Sequence, residues 1–202
     1  KLQNIVVLAG PCHAEEVALE RLSYITVVCA NLDTANEIAE QFSSNYIKIN
    51  TNDDVIGAEY AAMIKNVYAI AAGIAHGLGY GDNFQSVLMS SATREMKRFI
   101  KKAHKKKRNI NETVYLGDLL VTCYSLFSRN RMFGNMVGKG YTVKSAQMEM
   151  SMIAEGYYAT KSVMEIKNKF EIDMPIVEAV NNIIHEKISP VIEMQILSDR
   201  LT

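Results

Sequence analysis

Tyr46-Ile47-Lys48-Ile49-Asn50-Thr51-Asn52-Asp53-Asp54 is the point at which this chain changes its hydrophobic period. Tyr46 to Asn50 alternates apolar and polar residues, the pattern of a strand with one covered face. After Asp53-Asp54 the alternation stops, and Ala58 to Ala75, Asn83 to Lys106 and several segments beyond Thr142 carry helical spacing instead. Upstream, the apolar run Ile5 to Leu8 meets Ala9-Gly10-Pro11, and a helical pattern follows from Ala14 to Leu22. Ile25 to Cys29 is a β-branched run, and Asp33 is placed to cap a helix running through Phe42. The expected fold class is therefore α/β over residues 1–52 and all-α over residues 53–202. Two late helices have marked starts, at Asp173-Met174-Pro175 and Ser189-Pro190, because proline's missing N–H costs nothing in a first turn. The sequence has no internal repeat or low-complexity segment.

Composition narrows the class of function. The 202 residues carry 22 Lys+Arg against 22 Asp+Glu, with 49% hydrophobic residues. This balance gives no reason to expect a nucleic-acid partner. The longest apolar stretches, such as Val67 to Ala75, are far short of the roughly 20 residues of a membrane span. Cys12, Cys29 and Cys123 are an odd set without metal-ligand spacing, so no metal site is expected, and reduced thiols in a cytoplasmic protein fit them best. The chain opens at Lys1 and enters an apolar run within a few residues, as an internal fragment or processed chain would.

Several residues are candidates for chemistry. Lys65-Asn66 stands in the alanine-rich helix, flanked by Met63, Ile64, Val67 and Tyr68. An ammonium held in a dry neighbourhood gives up its proton more readily, which makes Lys65 a candidate for proton transfer. The alternative is a lysine whose stem packs while its head reaches water. Gly77-Leu78-Gly79-Tyr80-Gly81-Asp82-Asn83 is glycine-dense but joins two helices, which favours an interhelical turn capped by Asp82 or Asn83 over a phosphate cradle. Lys97 to Arg108 holds eight basic residues and no acidic one, as a solvated helix end or an anion-attracting surface would. Asp118 and Thr122 lie four apart and share a face if the segment is helical. Ser128-Arg129-Asn130-Arg131 is rich in donors suited to a phosphate, although a solvated basic turn would read the same. Glu155-Gly156 interrupts a helical pattern, as either a kink or a polar contact.

Taken in order, Gly10-Pro11-Cys12-His13-Ala14, Lys65-Asn66, Gly77-Leu78-Gly79, Gly117-Asp118-Leu119, Ser128-Arg129-Asn130-Arg131 and Ile153-Ala154-Glu155-Gly156 resemble the NAD(P)-dependent glycerol-3-phosphate dehydrogenase family. Gly-Asp-Leu-x-x-Thr-Cys followed by Ser-Arg-Asn-Arg carries most of the specificity. The resemblance implies that residues 1–52 end a Rossmann-type NAD(P)-binding domain. Residues 53–202 would then form a catalytic helical domain like that of 6-phosphogluconate dehydrogenase.

It also implies roles. Lys65 is the general acid/base. Gly10, Cys12, Lys65, Asn66, Asp118, Thr122, Ser128, Arg129 and Asn130 hold dihydroxyacetone phosphate or glycerol 3-phosphate. Ala14, Arg129, Ile153 and Glu155 touch NAD or NADP. Where the family commonly has serine and phenylalanine this chain has Cys12 and His13, and a thiol is the poorer donor. The GxGxxG cradle of the family is not in this sequence. The implied function is synthesis of glycerol 3-phosphate for phospholipids, and a homodimer is among the assemblies to be expected. Two other readings stay open here: an inactive helical binding or dimerisation module, and a dehydrogenase of another hydroxy compound.

Overall fold

The computed structural model describes residues 5–201. Two compact units are present: Lys1–Ala62 with Lys106–Val121, and Met63–Lys105 with Thr122–Thr202. This division departs from the change of period at Asn52, because the first helix turns after it and the 106–121 segment pack with the strands.

In the first unit, strands β1 (Val6–Ala9), β2 (Ser23–Cys29) and β3 (Ile47–Asn52) form one sheet in that order. β1 runs antiparallel to β2, with Val6 opposite Cys29, and β2 runs parallel to β3, with Ser23 opposite Ile47. Parallel neighbours need a crossover, and helix α2 (Leu32–Phe42) supplies it. Its alanine and isoleucine face packs on the sheet: Val27, Cys29 and Ala35 are fully buried, with Val6, Ile38, Ala39 and Ile49 against them. Two sequence expectations change here. Helix α1 is the single turn Ala14–Val17, not a run to Leu22; Glu20 takes φ 55° and the chain is already turning toward β2. The cap of α2 is Asn31, not Asp33, since the Asn31 Oδ1 accepts from the N–H groups of Asp33 and Thr34.

The strand-to-helix change at Asp53-Asp54 is fixed by a buried ion pair. Asp54 Oδ1 accepts from the N–H of Gly57 at the start of helix α3 (Val55–Gly77). Arg108 Nε donates to Asp54 Oδ2 at 2.6 Å and Nη2 to Oδ1 at 3.2 Å, while the Tyr115 hydroxyl donates to Oδ2 at 2.7 Å. Burial pushes the Asp54 carboxyl upward, but the hydrogen bonds from Arg108 and Tyr115 outweigh it and hold it below the usual range. Arg108 is thus no part of a solvated basic surface, and the helix that begins this basic run, α4 (Asp82–Ala103), stops short of Lys106. Lys106 is tied down as well, at 2.8 Å from Asp53. Beyond them a π-helical turn, Thr113–Gly117, leads into helix α5 (Asp118–Tyr124).

The second unit is helical. Helices α4 (Asp82–Ala103), α6 (Arg129–Gly138), α7 (Val143–Glu149), α8 (Glu155–Lys169), α9 (Pro175–Ile184) and α10 (Pro190–Arg200) join the rest of α3. No strand follows β3 among the described residues. The glycine-dense stretch is the expected turn between α3 and α4, with Gly79 at φ +86°. The residue at the cap is Gly81, however, and Asp82 falls in the first turn.

Two features organise this unit. Gly73 and Gly77 on α3 meet Gly134 and Gly138 on α6, and a Cβ on any of the four would run into the facing helix's backbone. The two helices therefore touch main chain to main chain. The second feature is Glu95, 1% exposed, whose oxygens accept from the N–H groups of Ile176 and Val177 at 3.1 and 3.2 Å. Both α9 and α10 start with proline as the sequence indicated, but the free N–H groups of α9 are capped by this distant glutamate instead of Asp173.

Burial raises the Glu95 carboxyl from 4.5 to about 8, against the pull of those two N–H groups and of Arg98. A group that holds its proton more tightly when folded stabilises the fold fully below its unfolded pKa. That contribution is lost as pH rises through the folded value. The expected outcome is a unit whose urea midpoint falls between about pH 5 and pH 8, and a Glu95→Gln variant whose midpoint is flatter across that window.

Candidate active site

The residues singled out by sequence fall into one group in each unit. In the first unit, Gly10 makes the turn after β1 at φ +121°, and a Cβ there would lie 3.0 Å from the Tyr24 carbonyl oxygen. Only glycine suits both constraints. The Pro11 ring packs beside Gly117, close enough that a Cβ on Gly117 would be 3.5 Å from its Cγ. This brings Gly10 and Cys12 to the start of α5, where Asp118 is buried. Burial pushes the Cys12 thiol up, its hydrogen bond with Ser23 pulls it down, and the Asp118 carboxylate adds a smaller upward push. The net direction is upward, so Cys12 stands as a neutral thiol at neutral pH. Ala14 is exposed at the first position of α1. Thr122, the first residue of α5 to belong to the second unit, is buried four residues after Asp118, the helical spacing anticipated for that pair.

In the second unit, Ile64, Val67 and Tyr68 of α3 are fully buried, whereas Lys65 and Asn66 are only partly so. Lys65 thus sits at the margin of the apolar core, not sunk within it. Asn66 is held from two sides. Asn130, the second residue of α6, donates from Nδ2 to Asn66 Oδ1 at 2.9 Å. Its own Oδ1 accepts the N–H of Gly156 in the first turn of α8 at 2.8 Å. Gly156 lies so near α3 that a Cβ on it would be 2.6 Å from the Asn66 carbonyl oxygen. Three helices therefore meet at one amide-linked point beside Lys65.

The Ser128-Arg129-Asn130-Arg131 segment is a helix start, not a solvated turn. Ser128 is buried and its hydroxyl accepts from the N–H of Arg131, capping α6. Arg129 is exposed, with Nη1 3.4 Å from the sulfur of Met152. It borders a cleft of about 810 Å³ that Ile153, Glu155 and Tyr158 also line. Ile153 and Glu155 are exposed, Gly156 buried. A guanidinium at the positive end of a helix is an anion-attracting arrangement. Reading the sequence missed Gly156 as a contact of Asn66 and Asn130, Met152 as the neighbour of Arg129, and Ser23 as the partner of Cys12. The Ile-Ala-Glu-Gly motif pointed to the region of Gly156 but not to its role.

The family model described as NAD-dependent glycerol-3-phosphate dehydrogenase C-terminus matches residues 54–195. The chain belongs to this glycerol-3-phosphate dehydrogenase family. It is 41% identical over 185 residues to a glycerol-3-phosphate dehydrogenase [NAD(P)+] of Enterococcus faecalis, covering 92% of this chain and 54% of that protein. The corresponding protein of Lysinibacillus sphaericus is 36% identical, with all of this chain and 60% of that one covered. Among solved structures, glycerol-3-phosphate dehydrogenase from Coxiella burnetii superposes with a TM-score of 0.92 at 33% identity, over 96% of this chain and 60% of that one. The chain thus spans a little over half the length of the glycerol-3-phosphate dehydrogenases it matches. The three-stranded sheet and the helices after it follow the carboxyl-terminal part of that fold.

Proposed function

We propose that this chain carries the catalytic helical part of an NAD(P)-dependent sn-glycerol-3-phosphate dehydrogenase, which reduces dihydroxyacetone phosphate to sn-glycerol 3-phosphate for glycerophospholipid synthesis. The observation that carries this reading is the amide-linked meeting of α3, α6 and α8. It supports the reading because it holds the Lys65-Asn66 segment against the helix start that bears Arg129. In the proposal Lys65 gives its proton to the substrate oxygen as the carbonyl carbon is reduced, and its positive charge stabilises the alkoxide that develops there. Arg129, with Ser128 and Asn130 at the positive end of α6, grips the phosphate, and Asn66 orients the substrate beside Lys65. Gly10, Cys12, Asp118 and Thr122 are assigned further substrate contacts.

The nicotinamide cofactor supplies the hydride when bound. The cleft beside Arg129 fits part of such a group: it offers a cation for phosphate, an apolar wall from Met152, Ile153 and Tyr158, and the Glu155 carboxylate. Arg129, Ile153 and Glu155 would hold it there; Ala14 is assigned a cofactor contact by the family resemblance alone.

By the same reading, the three-stranded sheet closes a Rossmann-type domain and the helical unit is of the 6-phosphogluconate dehydrogenase kind. The protein is assigned to the cytoplasm, consistent with three cysteines that form no disulfide, and a homodimer is the assembly proposed for it. No helix among the described residues is long and apolar enough to cross a membrane. The test is whether the full-length protein oxidises NADH or NADPH when given dihydroxyacetone phosphate.

A further inference from the structure

We propose that Met152 is an oxidation site, and that its sulfoxide captures the Arg129 guanidinium and closes it to anions. The starting observation is the partner that Arg129 has. Its Nη1 lies 3.4 Å from the Met152 sulfur, and among the described residues no carboxylate, amide or hydroxyl holds the guanidinium. Its donors thus meet one thioether, a weak acceptor. A phosphate displaces such a partner at little cost, which suits the role proposed for Arg129 above.

The same pairing makes Met152 the methionine whose oxidation matters. The chain runs Met148-Glu149-Met150-Ser151-Met152 between helices α7 and α8. Met148 is 77% exposed and Met152 59%, so a small peroxide reaches both sulfurs. Of these two, only Met152 has a guanidinium at its sulfur. It also lines the cleft that Arg129 borders, and Met148 does not.

The step is an oxygen transfer from a hydroperoxide. The sulfur lone pair attacks one peroxide oxygen, the O–O bond breaks, and an S=O bond forms as water or an alcohol leaves. Sulfur is oxidised and the peroxide reduced, with no net change in protons. The product carries a strongly dipolar oxygen on the atom already nearest Arg129. Hydrogen bonds to a charged group are stronger than those between neutral groups, so the sulfoxide competes with phosphate where the thioether did not. The consequence for substrate rests on the functional reading above; the bond between sulfoxide and guanidinium does not.

The test uses the full-length protein, treated with hydrogen peroxide and then with a thiol reductant. The reductant restores reversibly oxidised cysteines and leaves sulfoxides in place. Peptide mass analysis should find one added oxygen on Met152 and on Met148. In protein labelled with 15N-arginine, the Arg129 side-chain N–H signals should shift on oxidation with no ligand present. That shift should persist in Met148→Leu and be missing from Met152→Leu. With dihydroxyacetone phosphate as the probe, oxidation should raise KM about tenfold, the scale of one hydrogen bond to a charged group, and change kcat much less. The treated and untreated forms of Met152→Leu should share one KM, whatever its starting value. Methionine sulfoxide reductases should reverse both the shift and the rise in KM. No oxygen on Met152, Arg129 signals that stay in place, or an equal rise in KM in Met152→Leu would each overturn the proposal. Moved signals with an unchanged KM would overturn the closure to anions. If the untreated protein did not turn over dihydroxyacetone phosphate, the functional reading would fail, and the Arg129 signals would still decide whether the sulfoxide holds the guanidinium.

Discussion

Replacing Lys65 by alanine in the full-length protein is expected to lower kcat for reduction of dihydroxyacetone phosphate by about 10²- to 10⁴-fold, the range in which a positioned acid or base contributes. KM should change much less. The reason lies in where Lys65 stands. It is partly exposed on a helix whose neighbouring residues Ile64, Val67 and Tyr68 are fully buried. Its removal therefore deletes no core packing, and the melting temperature should hardly move. The phosphate grip assigned to Arg129 and the start of α6 stays in place, so ground-state binding survives while charge stabilisation at the reacting oxygen is lost. Stopped-flow or steady-state oxidation of NADH or NADPH measures this directly. A variant with kcat within a few-fold of the unmodified protein would remove Lys65 from the chemistry.

The largest structural effect is expected from Gly134→Ala. The added methyl carbon would occupy the space of the Ile70 carbonyl oxygen and crowd the Ile74 nitrogen, both main-chain atoms of α3 that have no rotamer to yield. The helices must then part, which opens a gap along the row Gly73, Gly77, Gly134 and Gly138 and pulls Asn130 away from Asn66. Overpacking in a core usually costs about 1–3 kcal/mol. A clash with main-chain atoms of two residues of the facing helix belongs at or above the top of that range. Urea unfolding should show the loss. Gly140→Ala serves as a contrast: its added carbon would meet nothing within 4 Å, leaving only the strain of a residue at φ +96°. Equal, small losses in the two variants would show that the α3–α6 contact is not the close approach described.

What the sequence disclosed about this fold was what is local. The alternation through Tyr46 to Asn50 and its end at Asp54 predicted the last strand and the long helix, because side-chain period is written residue by residue. The prolines at 175 and 190 marked helix starts for the same reason. What stayed hidden depends on partners far along the chain. Nothing around Glu95 says that it will cap a helix 81 residues later, and nothing in the basic run says that Arg108 will bury itself against Asp54. Asn31 displaced Asp33 as a cap by two positions, a choice between equally suitable residues that backbone geometry alone settles. The candidate site was found mainly through motif resemblance, which named Asn66, Asn130 and Gly156 but not how they join. Their connection rests on hydrogen bonds between three helices, and no spacing rule reaches that far.

The depth of Lys65 shows a limit of a different kind. Its flanking residues are apolar, yet a helix turns by 100° per residue, so neighbours in sequence need not share an environment. Burial of Ile64 and Val67 is compatible with a lysine at the accessible margin, where a substrate oxygen can reach it.

The most direct measurement is the rate at which the full-length protein oxidises NADH or NADPH with dihydroxyacetone phosphate compared with dihydroxyacetone, which lacks only the phosphate. If Arg129 and the start of α6 grip that phosphate while Lys65 delivers the proton, kcat/KM should favour the phosphorylated ketone by at least a hundredfold, and Arg129→Ala should erase most of the difference. Comparable rates with the two ketones, or no turnover of the phosphorylated one, would contradict the account.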